Sequence, residues 1–245
     1  MDYQQYTFSK KELLGNTALF LGLSAAVSYL FYRSVIIFIL SLPALIFFLR
    51  FRKESYIRKR QRELSAQFLD GMQTISVALT AGYSIETAFE EALKELPTMY
   101  DEDAMIIREF RYIVVQLGMN RNLEELLLGL AARSGIEDIR NFADVFSAAK
   151  RTGGNLIAII RNTVLCMMQK EETRREIDTC LSAKRLEQSI MSLVPFFILL
   201  YVQVMSPGFL DSMYHNPAGI LIMTLCLVVY LLAWFWGRKI VSIEV

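Results

Sequence analysis

The sequence predicts an all-α integral membrane protein with about four transmembrane helices and one cytoplasmic six-helix bundle. The first observation is composition: 245 residues that are 54% hydrophobic yet 21% charged suit neither an ordinary soluble protein nor a pure membrane bundle. The second is distribution, because long apolar runs lie near both ends and most charged residues lie between them. The third is periodicity: the middle repeats apolar residues at helical spacing, and no stretch alternates at period two long enough to predict a strand.

The stretch from Thr152 to Met205 is predicted to be the organising helix. After a turn at Thr152–Asn155 it contains no helix breaker before Pro195. It is amphipathic at first, charged from Lys170 to Lys184, and then apolar on every side, as expected of a helix that leaves a soluble core and enters a bilayer. About 50 residues would span roughly 75 Å. Its first apolar face consists of Leu156, Ile159, Ile160, Thr163, Val164 and Met167.

Residues 1–51 are predicted to contain two transmembrane helices, at about 13–32 and 34–49. Each run is near the lower length limit for crossing a hydrocarbon core of about 30 Å. A hairpin with a very short outer turn at Tyr32–Ser34 is the simplest arrangement. A cleavable signal peptide ending near Ser24–Ala26 is the alternative for residues 1–26, but the sequence stays apolar well beyond that point.

A basic cluster follows the second apolar run. It places the next segment in the cytoplasm by the positive-inside rule, and it could also bind anionic lipid head groups. Nucleic-acid binding is not expected, because the net charge is only +1 and no aromatic residues interleave with the basic ones. The members of this membrane-proximal basic cluster are Arg52, Lys53, Arg58, Lys59, Arg60 and Arg62.

Residues 52–185 are predicted to form the cytoplasmic bundle, since six apolar stripes at helical spacing are separated by short turn sequences. The organising helix supplies the sixth stripe. The first five stripes are Leu64, Phe68, Met72, Ile75 and Leu79; Ile85, Ala88, Phe89, Ala92, Leu93 and Leu96; Ile106, Phe110, Ile113, Val114 and Leu117; Leu123, Leu126, Leu127 and Leu130; and Ile139, Phe142, Val145, Phe146 and Ala149.

Local signals predict where these helices begin and end. Ala81 and Gly82 end the first helix and Ser84 caps the second, which Pro97 is expected to stop. Asn122 with Glu125 resembles a capping box at the start of the fourth helix. The remaining turn signals are Gly118, Ser134-Gly135, Gly153, Gly154, Asn155 and Leu156.

Residues 186–245 are predicted to contain two more transmembrane helices, at about 190–205 and 218–236. The short loop between them holds Asp211 but no Lys or Arg, which suits an outer loop. Arg238 and Lys239 follow the last run and place the end of the sequence inside. Pro195 lies within the third span, where a kink is expected and a neighbouring helix can satisfy the freed carbonyl.

No catalytic, cofactor-binding or metal-binding residues are predicted. The sequence lacks P-loop, HExxH and GxSxG motifs, and its adjacent carboxylates point apart on a helix. Cys166, Cys180 and Cys226 form no CxxC pair, and His215, the sole histidine, sits in a loop. The interiors of the apolar runs hold no Asp, Glu, Lys or Arg, which argues against an ion-coupled transporter.

Several motifs in order resemble the F-protein family of type II secretion systems, the inner-membrane platform proteins of secretion and type IV pilus machines. They are Leu79–Ile85 followed by Ala88, the section from Gly118 through Leu126-Leu130-Ala131-Arg133, Ala148 through Asn155-Leu156, Pro195 and Gly237–Ile240. Two spans, one helical F domain and two spans resemble the branch used by tight-adherence (Tad) pili.

This resemblance implies a non-enzymatic assembly platform in the bacterial inner membrane. A cytoplasmic secretion or pilus ATPase, pilin subunits and the lipid bilayer would be its partners, together with a sister platform protein or a second copy. The glycine-containing turns would be structural, and no cofactor is implied. Two alternatives stand beside it: a membrane-anchored scaffold or sensor, and a passive channel, each with the helical bundle as a docking domain.

Overall fold

The computed structural model describes residues 3–6, 8, 10–32, 35–152, 155–206, 208–209, 211–214 and 216–241. Within these ranges the protein is all-helical and contains no strand. The chain divides into two compact units, Met1–Thr7 with Lys53–Thr173 and Phe8–Arg52 with Arg174–Val245, which are described separately. We call the first the bundle unit and the second the membrane unit.

Ten helices lie in the described ranges. Two of them, α3 and α8, contribute residues to both units. The helices are α1 (Lys10–Phe31), α2 (Val35–Ser41), α3 (Ala44–Thr80), α4 (Ile85–Met99), α5 (Met105–Gly118), α6 (Leu123–Ser134), α7 (Glu137–Thr152), α8 (Leu156–Met205), α9 (Asp211–Tyr214) and α10 (Pro217–Val241).

The core of the bundle unit is built on a cluster of aromatic rings. Phe110 of α5 is fully buried, with its ring centroid 5.2 Å from that of Phe89 and 6.5 Å from that of Phe68. Phe68 also meets Phe142 edge-on at 5.8 Å. These rings come from α3, α4, α5 and α7, so one cluster joins four helices. All five residues of the first predicted stripe, from Leu64 to Leu79, are buried as expected.

Gly71 lets α3 and α5 approach closely. A Cβ atom at this position would lie 2.8 Å from two carbons of the Phe110 ring. Gly71 is buried in the middle of a helix, where glycine is otherwise unfavourable relative to alanine. The tight packing against Phe110 is therefore the physical reason for a glycine here.

The stripe predicted for α7 is partly wrong. Ile139, Phe142, Phe146 and Ala149 are buried, but Val145 is exposed and Ala143 takes its place in the core. With 100° per residue, Val145 lies about 100° from the middle of the buried face. The apolar pattern of α7 in the sequence is thus wider than the face that the neighbouring helices bury.

Helix ends follow the predicted signals at some turns and depart from them at others. The backbone N–H of Thr87 donates to Ser84 Oγ at 3.2 Å, so Ser84 caps α4 as predicted. Asn122 is the N-cap residue of α6 but makes no side-chain capping bond, so the predicted capping box is wrong. Pro97 does not stop α4, which continues to Met99. A proline in the last turn removes only one helical hydrogen bond. The remaining bonds of that turn allow α4 to continue for two residues beyond Pro97.

Among the described residues, three helices are long and apolar enough to cross a membrane, by length and composition: α1, α8 and α10, the last over Pro217–Ile240. The predicted second span at 34–49 is not one helix, because α2 ends at Ser41 and α3 begins at Ala44. Pro43 explains this break, since its ring would clash with the carbonyl of Ile39 in a continuous helix.

Contacts within the membrane unit place α1 antiparallel to the segment 41–52. Arg52 donates to Asn16 Oδ1 at 2.9 Å, Phe48 meets Phe20 with ring centroids 5.4 Å apart, and Ser41 is hydrogen-bonded to Ser24. As the residue number rises along α1, the partner's number falls. The second apolar run therefore returns alongside the first, as the predicted hairpin requires.

The far end of α1 meets the regions that flank the predicted outer loop. Tyr214 donates a hydrogen bond to the carbonyl of Leu30 at 2.7 Å, and Tyr32 donates to Thr224 Oγ1 at 2.9 Å. Phe31 packs edge-on against Phe196 of α8 at 6.2 Å. The end of α1, the final third of α8 and the start of α10 thus lie together.

Candidate functional site

The most unusual polar arrangement in the described residues is a carboxylate inside the bundle unit. Glu109 of α5 is only 5% exposed. The hydroxyl of Tyr3 donates to one of its oxygens at 2.8 Å, and Arg133 Nη2 donates to the other at 2.6 Å. A buried carboxylate is costly unless it is paired and hydrogen-bonded, and here both oxygens have a donor.

The short segment 3–6 reaches this carboxylate by lying along the end of α6. The backbone N–H of Tyr3 donates to the carbonyl of Arg133 at 3.0 Å, and Gln4 Nε2 donates to the carbonyl of Ala132 at 2.7 Å. The last carbonyls of a helix have no donor within the helix, so the segment satisfies two acceptors that α6 leaves free.

Gly135 makes room for this segment. It ends α6 in the left-handed conformation, with φ of 65°, and a Cβ atom there would lie 3.1 Å from side-chain atoms of Gln4. Glycine meets both needs, because it adopts positive φ without strain and has no side chain to displace Gln4.

Aromatic and cationic contacts surround Tyr3. The guanidinium of Arg60 lies 5.0 Å from the centre of the Tyr3 ring, and the Tyr6 ring stacks on that of Tyr56 with centroids 5.3 Å apart. Tyr3 itself is 1% exposed. Its burial, followed by the negative charge of Glu109, raises the pKa of Tyr3 well above its usual value. The phenol is therefore a neutral donor at ordinary pH, and the arrangement holds the segment on the bundle unit.

Sequence reasoning missed this site, although one signal was present. Glu109 lies on the buried face of α5, three residues after Ile106 and four before Ile113, where an isolated acid needs a partner. Residues 3–6 show no periodic pattern, so the sequence indicated only a polar segment that precedes α1. The acceptors of the hydrogen bonds described above for this segment, on α5 and α6, lie more than a hundred residues away in the sequence.

The predicted turn residues lie at two separate places. Ala81, Gly82 and Ser84 connect α3 to α4, with Gly82 at φ of 94°. Asn155 caps α8, since its Oδ1 accepts from the backbone N–H of Ala158 at 3.1 Å, and Leu156 is the first residue of that helix. The other members of the predicted turns, Gly153 and Gly154, lie outside the described residues, as do Arg33 of the expected outer turn and His215.

The basic cluster is divided among different contacts. Arg52 donates to Asn16, Arg58 lies 3.6 Å from Glu54, and Arg60 lies over Tyr3. Lys53, Lys59 and Arg62 are exposed. Lys59 and Arg62 share one face of α3, but Lys53 lies about 120° or more away from both, so the cluster does not form one flat basic patch.

The long helix α8 is continuous from Leu156 to Met205 and includes Pro195. The proline leaves the carbonyl of Met191 without its usual donor. One residue further on, the hydroxyl of Tyr230 in α10 donates to the carbonyl of Ser192 at 2.8 Å. The neighbouring helix α10 thus bonds to the carbonyl next to the freed one. A donor from a neighbouring helix to Met191 itself stays a prediction, as does the kink.

The base of α8 belongs to the bundle core. Ile160 and Val164 are buried, and Met167 packs against the same core. Lys170 Nζ forms an ion pair with Asp138 Oδ1 of α7 at 2.7 Å. The charged section that follows is largely exposed up to the apolar run.

The chain was compared with protein-family models, with curated proteins and with solved structures, and none of the three comparisons finds a match.

Proposed function

We propose that this protein is a non-enzymatic inner-membrane platform of a type IV or Tad pilus or a type II secretion machine. In this role it couples a cytoplasmic ATPase to the extraction of pilin and the assembly of a filament. The observation that carries the proposal is α8, a 50-residue helix that is rooted in the bundle core and ends in an apolar, membrane-length run. A stiff helix of this kind can transmit displacement from a cytoplasmic domain to the bilayer. The partners are the ATPase, pilin, the lipid bilayer, and a sister protein or second copy.

The proposed topology has four spans, with the bundle and both ends of the chain in the cytoplasm of a bacterial cell. Tyr3 contacts the bundle unit before α1 begins, and the chain is in the bundle again at Leu64. If α1 crosses the membrane, the chain must cross a second time before Leu64. The antiparallel contacts of segment 41–52 with α1 support that return crossing, although Pro43 breaks its helix.

Cysteine labelling tests this topology. In a background with Cys166, Cys180 and Cys226 replaced by serine, we expect Arg33→Cys and Phe209→Cys to react with an impermeant maleimide in intact spheroplasts. Tyr83→Cys, which is half exposed in the bundle unit, should react only after permeabilisation. Labelling of Phe209→Cys without Arg33→Cys would exclude the return crossing and leave three spans.

Photo-cross-linking in native membranes tests the function. A photoreactive residue at Glu90 of α4 or Glu125 of α6, both exposed, should give adducts with a secretion ATPase and with pilin. The matched control is the same residue at buried Phe89, which should give no intermolecular adduct. Adducts with the protein itself alone would contradict the platform role and favour an oligomeric scaffold or channel, which flux assays in vesicles would then distinguish.

A further inference from the structure

We infer that residues 3–6 form a releasable latch, which holds the start of the first membrane helix to the bundle through the Tyr3–Glu109–Arg133 contact. The inference rests on the proposed function only in assuming that α1 spans the membrane. It adds a further link between membrane and bundle, besides the continuous helices α3 and α8. Only three residues separate Tyr6 from Lys10, where α1 begins, so the docked segment is a short covalent connection to that helix.

The first argument is that the contact is built for this segment. The pocket supplies an acceptor to the Tyr3 hydroxyl, a carbonyl to the Tyr3 backbone N–H, and a carbonyl to the Gln4 amide, at 2.8, 3.0 and 2.7 Å. Arg60 covers the ring, and Gly135 leaves space for Gln4. Specific donors and acceptors at each step fix the register of the segment on α6.

The second argument is that the segment can leave without unfolding a helix. It is not part of any helix, and the hydrogen bonds described above for Tyr3 and Gln4 go to acceptors at one helix end and to one side chain. When it leaves, Glu109 and Arg133 can remain paired with each other, because their 2.6 Å contact does not involve Tyr3. Segments with few contacts open at lower free energy than the core to which they bind.

The third argument is that docking of the segment depends mainly on the side chain of Tyr3. Tyr3 is 1% exposed, whereas Gln4 and Gln5 are exposed, so the buried aromatic ring supplies most of the apolar contact. Tyr3→Phe keeps the ring and loses the hydrogen bond to Glu109, while Tyr3→Ala loses both. Gln5→Ala, within the same segment, is the matched control.

Cysteine cross-linking of the full-length protein in membranes tests the latch. In the cysteine-free background, Gln4→Cys with Ala132→Cys should be joined rapidly by a short bismaleimide. Gln4→Cys with Met119→Cys should not be, because Met119 is exposed and precedes the start of α6, whereas Ala132 lies near its end. Joining is detected by cutting at a protease site inserted in the loop 100–104 and asking whether the two fragments stay together. Tyr3→Phe should increase the fraction of molecules in which residues 3–6 are not docked on α6 (the open fraction) about fivefold, the factor expected for one hydrogen bond. Tyr3→Ala should increase it roughly a hundredfold, and Gln5→Ala should leave it unchanged.

Two results would overturn the proposal. The first is slow joining of Gln4→Cys with Ala132→Cys in otherwise unaltered protein, since the segment would then not be docked. The second is loss of the protease-resistant bundle in both Tyr3→Phe and Tyr3→Ala, because the segment would then be a permanent part of the core. The readout does not depend on filament assembly, so a failed latch leaves the platform role standing, and a failed platform role leaves the latch testable.

Discussion

Replacing Phe110 by alanine is expected to lower the free energy of unfolding of the bundle by about 3–5 kcal/mol. Phe110 is fully buried and its ring contacts those of Phe68 and Phe89. It also fills the space that Gly71 leaves open on α3. The alanine variant therefore loses apolar burial and aromatic contacts and leaves a cavity between three helices.

Urea unfolding of the full-length protein in detergent, followed through the protease resistance of the bundle, would measure this loss. Val145→Ala is the matched control, because Val145 belongs to the apolar pattern of the sequence yet is exposed. Its effect should stay within about 0.5 kcal/mol. Equal destabilisation by the two substitutions would contradict the packing described for α5 and α7.

Under the proposed platform role, interrupting α8 is expected to abolish filament assembly while leaving membrane insertion intact. Thr179 lies in the exposed charged section, beyond the residues of α8 that pack in the bundle core and before the apolar run. A flexible Gly/Ser insertion at this point separates the two ends of the helix mechanically, because glycine-rich segments behave as random coils. Each end should still fold or insert, since its own apolar contacts are unchanged.

A helical insertion of the same length is the control for the effect of added residues. An insertion of seven residues with strong helix propensity keeps the helix continuous. It rotates the part of α8 after the insertion by only about 20° relative to the part before it. We expect piliation, measured by electron microscopy of the cell surface, to be lost with the flexible insertion and retained at least in part with the helical one. Normal piliation with the flexible insertion would show that α8 does not transmit force.

Much of the fold could be predicted from the sequence because its signals are local. The helices of the bundle, the turn at Gly82, the Ser84 cap and the uninterrupted α8 all follow from periodicity and from the conformational preferences of a few residues. The break at Pro43 also had a local signal, in the clash between a proline ring and the preceding turn. Apolar runs similarly predict which helices can cross a membrane.

The candidate site was less predictable, because its parts have no pattern in common. Segment 3–6 is too short for periodicity, and Arg133 lies in a different helix from Glu109. Only the isolated position of Glu109 on an apolar face indicated that a partner was needed. Its identity depends on which donors the folded chain brings within hydrogen-bonding distance.

The sequence by itself therefore determined the helical class, the apolar faces and the long helix that leads towards the membrane. Periodicity reports one face of one element, and these properties need no more than that. The tertiary structure alone decided that Gly71 receives the Phe110 ring, that Val145 stays outside the core, and that Tyr3 docks on Glu109. Each of these depends on how closely two helices pack or on a contact across more than a hundred residues, and close packing in three dimensions leaves no regular trace along the chain.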